Sequence, residues 1–215
     1  MAVKSTVKTN KVEEDTQSAL LRAAKTLFSA QGYDGATVKE ISEAAGVNVG
    51  LISYFFGGKE GLYRACLADF GSKNLKMAER TLEEPRSHEE IRVRLKMFFG
   101  ELTEAHLAEP EVTTILHREC DMDFPYAQEL FRDSFLKVFE RFIHFIKKAE
   151  ERGLTRPGID PFVLAQLCFS GIIHAFRTDR LAEQMFGFTL RNEEYRARFL
   201  KHHLDACLLN LGVPL

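Results

Sequence analysis

The stretch TVKEISEAAGVNVGLISYFFGGKE, residues 37–60, decides the fold that we predict for this chain. Thr37 and Glu40 have the spacing of a capping box, which predicts that a helix begins there. Gly46 lies where that helix ends, because glycine adopts a left-handed conformation without a Cβ penalty. Asn48 is a good N-cap for a second helix. Two helices joined by such a short turn indicate a helix-turn-helix, whose second helix can enter the major groove of DNA.

The same turn would also suit a plain helical hairpin, because every helix bundle contains paired helices. The surrounding sequence favours the DNA-binding interpretation. An upstream helix is predicted from Asp15 or Thr16 to about Ala30, and the turn-forming cluster at residues 31–35 ends it. A second break at residues 56–60 precedes another helix. The predicted order is therefore a helix, the helix-turn-helix, a glycine break and a further helix.

From residue 20 to residue 65 the chain resembles the tetracycline-repressor (TetR) family of transcriptional regulators. The match includes the turn sequence FSAQGY at residues 28–33 and the segment YFFGGKE at residues 54–60. The resemblance implies an all-α fold in two parts. Residues 13–70 would form the helix-turn-helix DNA-binding domain, and residues 71–215 a larger helical domain for effector binding and dimerisation. It also implies three partners, which are a double-stranded DNA operator, a small-molecule effector and a second copy of the chain.

The resemblance also implies which residues contact DNA. They are Thr37, Asn48, Val49, Gly50, Leu51, Ser53, Tyr54, Phe55 and Lys59. Thr37, Tyr54 and Lys59 resemble phosphate ligands. Thr37 could also be a simple cap, which is compatible with a phosphate contact, and the alternative for Tyr54 is a half-buried core residue. Val49 and Leu51 stand where the family often has polar or small residues, so contact with thymine methyl groups is the expected substitute.

The charge of the chain is in tension with a DNA-binding role. Its net charge is only −2 over 215 residues, so the chain as a whole is not drawn to nucleic acid. The first residues are basic, because Lys4, Lys8 and Lys11 occur there without an acidic neighbour. We expect residues 1–12 to be a disordered basic arm that could contact phosphates or the minor groove. The alternative is a solvated terminus with no part in binding.

The sequence also bears on the compartment. The first fifteen residues lack the apolar core of a signal peptide, and no apolar run is long enough to span a bilayer. The four cysteines lie far apart, at Cys66, Cys120, Cys168 and Cys207. This spacing is not that of a small disulfide framework, so we expect a reducing, cytoplasmic location and no membrane partner.

The second part of the chain is predicted to hold the effector pocket among its middle helices. The candidate lining residues are Phe99, Leu102, His106, His117, Cys120, Phe135, Phe139 and His174. A pocket rich in Phe with a few polar groups would suit an apolar or aromatic molecule. Plain core packing is the alternative for the apolar members of this set.

The last two long helices, about 161–178 and 193–209, are the expected dimer face by family resemblance. The candidate interface residues are Phe169, Ile173, Phe176, Leu204 and Leu208. The first of these helices is apolar around most of its girth, which predicts burial on two sides. The alternative is a large core within one chain.

Metal binding and catalysis have little support. His117-x-x-Cys120 and His203-x-x-x-Cys207 each place two ligands on a helix face, but zinc usually needs a third or fourth. We find no phosphate-binding loop or nucleophile motif, so we expect no cofactor, no metal and no enzymatic activity.

The predicted function is a ligand-responsive regulator, in particular a repressor of a near-palindromic operator. The alternatives are a helical enzyme or carrier that keeps the amino-terminal motif, and a module that binds a protein partner.

Overall fold

A computed structural model describes the backbone of residues 2–123 and 125–215, and the side chains of these residues except 2–12. The regular elements of the described residues are all helices, and the predicted all-α class is confirmed. The helices are α1 (Ala2–Gly35), α2 (Val38–Ala45), α3 (Gly50–Phe56), α4 (Lys59–Thr81), α5 (His88–Ala108), α6 (Pro110–Asp121), α7 (Gln128–Leu130), α8 (Leu136–Glu151), α9 (Pro161–Phe186) and α10 (Glu193–Leu211), with a π-helical segment (Phe131–Phe135) before α8. None of these described helices has the length and apolar run needed to span a bilayer. The predicted basic arm, residues 1–12, lies outside the residues whose side chains are described.

The chain divides into two compact units. Unit 1 comprises Met1–Gly71 and Glu109–Phe131, and unit 2 comprises Ser72–Ala108 and Arg132–Leu215. The division near residue 71 is close to the boundary expected from the sequence. Residues 109–131 differ from that expectation, because they cluster with the first seventy residues and not with the second domain.

Arg118 in α6 explains part of this association. Its guanidinium donates hydrogen bonds to the carbonyl oxygens of Phe28 (2.9 Å) and Ser29 (3.3 Å) in α1. Helical geometry is interrupted at Gly32, whose φ is 78°. A Cβ atom at Gly32 would lie 3.2 Å from Nη1 of Arg118, so glycine serves both the backbone conformation and the close approach of the guanidinium. Lys25 adds an ion pair of 2.6 Å with Glu109.

A buried polar contact joins α6 to α4. Tyr63 is 1 % exposed, and its hydroxyl donates a 2.7 Å hydrogen bond to Oε1 of Glu119, which is 2 % exposed. Burial raises the pKa of Tyr63, and the hydrogen bond to Glu119 raises it further. Tyr126 stacks on Tyr33 with ring centroids 3.8 Å apart and donates a hydrogen bond to Asp34. Because a buried carboxylate without partners is costly, these contacts hold α6 in one position within unit 1.

Aromatic packing dominates unit 2. Phe98 and Phe142 are fully buried, with ring centroids 5.6 Å apart, and Phe99 lies 6.0 Å from Phe142. Phe169 of α9 packs against Phe98 and Phe142 at 5.8 and 5.5 Å. Offset and edge-to-face pairs of this kind stabilise a core beyond the burial of their area. The high Phe content of the sequence is thus concentrated in unit 2.

Helix α9 continues past the end predicted from the sequence, about residue 178, to Phe186. Asp160 caps its start through hydrogen bonds from the amides of residues 162 and 163. Near the other end, Asp179 accepts hydrogen bonds from the amide of Leu190 and the hydroxyl of Thr189. These bonds hold residues 189 and 190, which follow α9, beside the last turns of that helix. The local sequence pattern does not indicate this contact.

Candidate nucleic-acid interface

Helix α2 begins and ends as the sequence predicts. The Thr37 hydroxyl accepts from the amide of Glu40 (3.1 Å), and the Glu40 carboxylate accepts from the amide of Thr37 (2.9 Å). Gly46 ends the helix with φ 68°. Ile41 is fully buried, so one face of α2 packs inward while the turn leads directly to α3.

Helix α3 begins at Gly50, one residue later than predicted, but Asn48 still caps it. Oδ1 of Asn48 accepts a 2.8 Å hydrogen bond from the amide of Gly50. Ile52 is buried and sets the rotation of the helix. Gly57 ends α3 in a left-handed conformation. These features fix which side of a short, seven-residue helix faces outward.

The outward side of α3 carries most of the residues predicted to contact DNA. Tyr54 is 72 % exposed and Val49 is 48 % exposed, so the interpretation of Tyr54 as a core residue is wrong. Asn48, Gly50 and Ser53 are also exposed, whereas Leu51 and Phe55 are half-buried. The exposed side of α3 thus carries one long side chain with a hydrogen-bonding hydroxyl group, Tyr54, next to smaller side chains.

Thr37 is a cap in this structure. Besides accepting from the Glu40 amide, its hydroxyl donates to Oε2 of Glu40 over 2.7 Å. The hydrogen bonds from Thr37 lower the pKa of Glu40, which keeps this carboxylate ionised beside the start of α2. A phosphate at this point would meet a negative charge, so the geometry favours the capping role of Thr37 over the phosphate contact.

Lys59 lies at the start of α4 and is half-buried. Its Nζ atom lies over the ring of Tyr33, 4.4 Å from the centroid, in a cation–π contact. Tyr33 also stacks on Tyr126. The ammonium is therefore positioned by the aromatic residues of unit 1.

Gly61 is a residue of this region that the sequence interpretation missed. A Cβ atom there would lie 1.8 Å from the carbonyl oxygen of Phe56, which no side chain can accommodate without movement of the backbone. The glycine allows α4 to start directly against the end of α3. The sequence signal is the third glycine in GGKEG, which follows the two turn glycines and lies just inside a helix.

The predicted effector residues are distributed over both units. His117 and Cys120 are in unit 1, and the other six are in unit 2. Phe99, Leu102 and His106 are buried in α5, whereas His174 is exposed on α9. Phe135 and Phe139 are half-buried.

His106 is the best-defined polar member of that set. Its ring stacks on Phe176 at 5.1 Å, and Nδ1 lies 2.8 Å from the carbonyl oxygen of Leu102. Burial lowers the pKa of His106, so the neutral imidazole is favoured. His106 is therefore a neutral polar group inside an aromatic surrounding.

The predicted dimer residues differ in how far they are buried. Leu208 is 0 % exposed and belongs to the core of its own chain, so it has no surface to offer a partner. Phe169, Ile173, Phe176 and Leu204 are half-buried. The large apolar side chains that these two helices do expose are Phe162, Val163, Leu167, Leu181, Met185, Phe186 and Leu209. Leu208 and Leu209 are consecutive on α10, about 100° apart around the helix axis, and only Leu209 lies on the exposed side.

Cys168 and Cys207 are both buried, with Sγ atoms 3.3 Å apart. The hydrogen bond between the two thiols, followed by burial, raises the pKa of Cys207. Within the described part of the chain, no three His, Cys, Asp or Glu side chains are close enough together to hold a metal ion.

Comparisons with known proteins agree with this geometry. The family described as "Bacterial regulatory proteins, tetR family" matches residues 20–66. The protein named "Probable HTH-type transcriptional regulator YttP" from Bacillus subtilis is 29 % identical over 140 residues, covering 64 % of this chain and 66 % of its own length. The "HTH-type transcriptional repressor AcnR" of Corynebacterium glutamicum is 32 % identical over 92 residues, or 39 % of this chain and 49 % of its own.

A solved structure extends the likeness to the whole fold. A variant of the regulator HlyIIR superposes with a TM-score of 0.68 and 22 % identity, covering 90 % of this chain and 97 % of the other. At that identity the superposition bears on the fold alone. The match to the curated relatives spans about two thirds of the first and about half of the second.

Proposed function

We propose, on the premise that the chain belongs to the tetR family of bacterial regulatory proteins, that it is a transcriptional regulator which binds double-stranded DNA through α3. The observation that carries the proposal is the outward face of α3, where Tyr54 and Val49 are exposed while Ile52 is buried. A helix of this length, held at both ends and projecting one side, suits insertion into a major groove.

Individual residues have distinct roles in this docking. Tyr54 donates its hydroxyl to a phosphate, and Ser53 and Asn48 supply hydrogen-bonding groups at the exposed start of the helix. Val49 contacts thymine methyl groups, since its side chain is apolar and exposed. Gly50, Leu51 and Phe55 complete the reading face at its edges. Lys59 provides a second phosphate contact, with the ring of Tyr33 holding its ammonium in place.

The regulator acts as a homodimer on a near-palindromic operator. Val163 and Leu167 of α9 and Leu209 of α10 are apolar and exposed in the single chain, which supports pairing of these helices with their copies. Two copies of α3 would then reach successive major grooves, about 34 Å apart.

An effector releases the DNA by changing the spacing of the two reading helices. Only a ligand that binds the two spacings with different affinities can do this. The Phe-rich core of unit 2, with the neutral His106 inside it, supports an apolar or aromatic effector. AcnR is named as a repressor, which favours repression over activation. The proposal includes no reaction and places the protein in the cytoplasm with its DNA.

A gel-shift titration with DNA captured by the purified protein from its own genome tests this function. Tyr54→Phe and Lys59→Ala are expected to weaken binding about five-fold each, because each removes one phosphate contact of about 1 kcal/mol. Lys59→Ala should also reduce the slope of log affinity against log salt by about 1. Tyr195→Phe and Lys147→Ala, which lie in unit 2, are matched controls and should leave both quantities unchanged. Wild-type affinity in both α3–α4 variants would reject the docking.

A further inference from the structure

His203 of α10 is half-buried in unit 2 and its ring contacts aromatic side chains. Its ring meets the edge of Phe99 at 4.6 Å and stacks on Phe199 at 5.9 Å. On the α9 side it faces Gly171, where a Cβ atom would lie only 2.9 Å from Cε1 of the imidazole. The glycine therefore makes the room that the histidine occupies, so that a polar ring is accommodated among phenylalanines.

The protonation state of His203 follows from its contacts. Burial lowers the pKa of His203, although a hydrogen bond to the main-chain carbonyl of Cys168 opposes the shift. The imidazole is thus neutral near pH 7 and donates one N–H to that carbonyl. Nε2 is buried and has no hydrogen-bond partner among the described residues, so Nδ1 is the donor. The remaining nitrogen, Nε2, carries an unused acceptor lone pair.

A second unused polar atom lies on the facing helix. Thr103 of α5 is 0 % exposed, and within the described residues its Oγ1 atom has no hydrogen-bond partner. It follows Phe99 by four residues, so the two side chains share one face of α5. Buried polar atoms in native proteins are nearly always paired, and an unpaired one is costly. His203 contacts the ring of Phe99 and Thr103 lies one helical turn after it, and two unpaired polar atoms near one residue indicate a place where a bound molecule supplies the missing partners.

We propose that His203, with Thr103 as the second contact, is the polar anchor of the effector site, and that the effector is a neutral molecule with an apolar or aromatic body and a hydroxyl group. This inference rests on the proposed function, because it names the chemistry of that effector. The hydroxyl donates to Nε2 of His203. A carboxylate is disfavoured, since it would face the lone pair of a neutral ring. Arg196, a cation earlier on α10, is already paired with Glu104 at 2.9 Å.

The test compares two probes of nearly equal shape, 2-phenylethanol and propylbenzene, by calorimetry on the full chain. In the wild type we expect the alcohol to bind at least about ten-fold tighter than the hydrocarbon, the effect of one buried hydrogen bond. His203→Phe should reduce this ratio about ten-fold, and Thr103→Val by a smaller factor. His202→Phe changes an exposed histidine of the same helix and should keep the wild-type ratio.

A second measurement avoids dependence on the folding of the variants. In the ¹⁵N-labelled wild type, the resonance of the unprotonated His203 nitrogen should move when 2-phenylethanol is added and stay in place with propylbenzene. Equal binding of the two probes, an unchanged ratio in His203→Phe or a resonance that ignores the alcohol would overturn the anchor and leave a bound water as the partner of Nε2.

Binding to the captured DNA, measured alongside the probe experiment, distinguishes a failure of the effector anchor from a failure of the regulatory function. If the wild type binds that DNA but shows no preference for the alcohol, the anchor alone is wrong. If the preference and its loss in His203→Phe are found without any DNA binding, the anchor stands and the regulatory function fails.

Discussion

The contacts inside unit 1 differ in kind from the contacts inside unit 2. In unit 1 the contacts of α6 are polar and individual, as in the guanidinium of Arg118 on two carbonyl oxygens and the hydroxyl of Tyr63 on Glu119. In unit 2 the core consists of similar aromatic rings in mutual contact, such as Phe98 and Phe142. Polar contacts need one geometry, whereas apolar cores tolerate repacking. Unit 1 is thus suited to holding a reading helix in place, and unit 2 to accommodating a ligand.

The largest difference between the units is expected at two glycines. Gly61→Ala should lower the free energy of unfolding by about 4 kcal/mol or more, because the new Cβ would meet the Phe56 carbonyl at 1.8 Å. Gly100→Ala in α5 is its control, since a Cβ there meets nothing within 4 Å. That change should stabilise the protein by about 0.5–1 kcal/mol through helix propensity. Urea denaturation followed by circular dichroism measures both, and similar effects at the two glycines would contradict this account of the α3–α4 junction.

The aromatic core of unit 2 should respond strongly to loss of volume. Phe142→Ala is expected to cost about 3–5 kcal/mol, since the ring is fully buried and contacts three other phenylalanines. Phe142→Leu keeps much of the volume and should cost about 1–1.5 kcal/mol. Denaturant midpoints of the two variants give the comparison. If the two substitutions cost the same, unit 2 would not be the repackable core described above.

In unit 1, the stability should depend on individual hydrogen bonds, so that removing a hydroxyl group destabilises the protein even when the ring is kept. Tyr63→Phe preserves the ring but leaves the buried Glu119 without its phenol donor, at a cost of about 1–3 kcal/mol. Tyr54→Phe removes a hydroxyl from an exposed ring and should change stability by less than about 0.5 kcal/mol. Thermal unfolding of this matched pair isolates the contact with Glu119. A harmless Tyr63→Phe would show that packing alone holds α6.

The neutral histidines of unit 2 should make the protein less stable at acid pH. Burial lowers the pKa of His106 and of His203, so at acid pH the unfolded chain binds more protons than the native chain. Stability therefore rises with pH and is lost as the pH falls below the ordinary histidine pKa of about 6.5. Denaturation midpoints at pH 7.5 and 5.5 should differ less in His106→Phe than in the wild type. The exposed-site control His202→Gln should retain the full difference, and an unchanged difference in His106→Phe would count against a neutral buried imidazole.

Local features of the sequence predicted the ends of the two helices of the helix-turn-helix well. The capping box of Thr37 and Glu40, the left-handed Gly46 and the cap by Asn48 all depend on neighbours within four residues. A pattern of that range is visible in the chain itself. The exposure of Tyr54 could be inferred only from the family resemblance, since a lone tyrosine in a short helix has no period to orient it.

Features that depend on distant residues were not predictable. The association of α6 with the first seventy residues rests on Arg118 and Glu119, whose partners lie 56 to 90 positions away. Leu208 and Leu209 occupy consecutive positions of an apolar stripe, and only the packing of α10 decides that Leu208 is buried and Leu209 exposed. The unpaired atoms of His203 and Thr103 likewise exist only because particular helices meet.

The central claim is that α3 reads DNA twice, once in each subunit of a dimer. Hydroxyl-radical and guanine-methylation footprinting on the captured operator tests it most directly. We predict two protected segments with centres about 10 base pairs apart, one helical turn, and the loss of both in Tyr54→Ala. A single protected segment, or an unchanged double footprint in Tyr54→Ala, would contradict the claim.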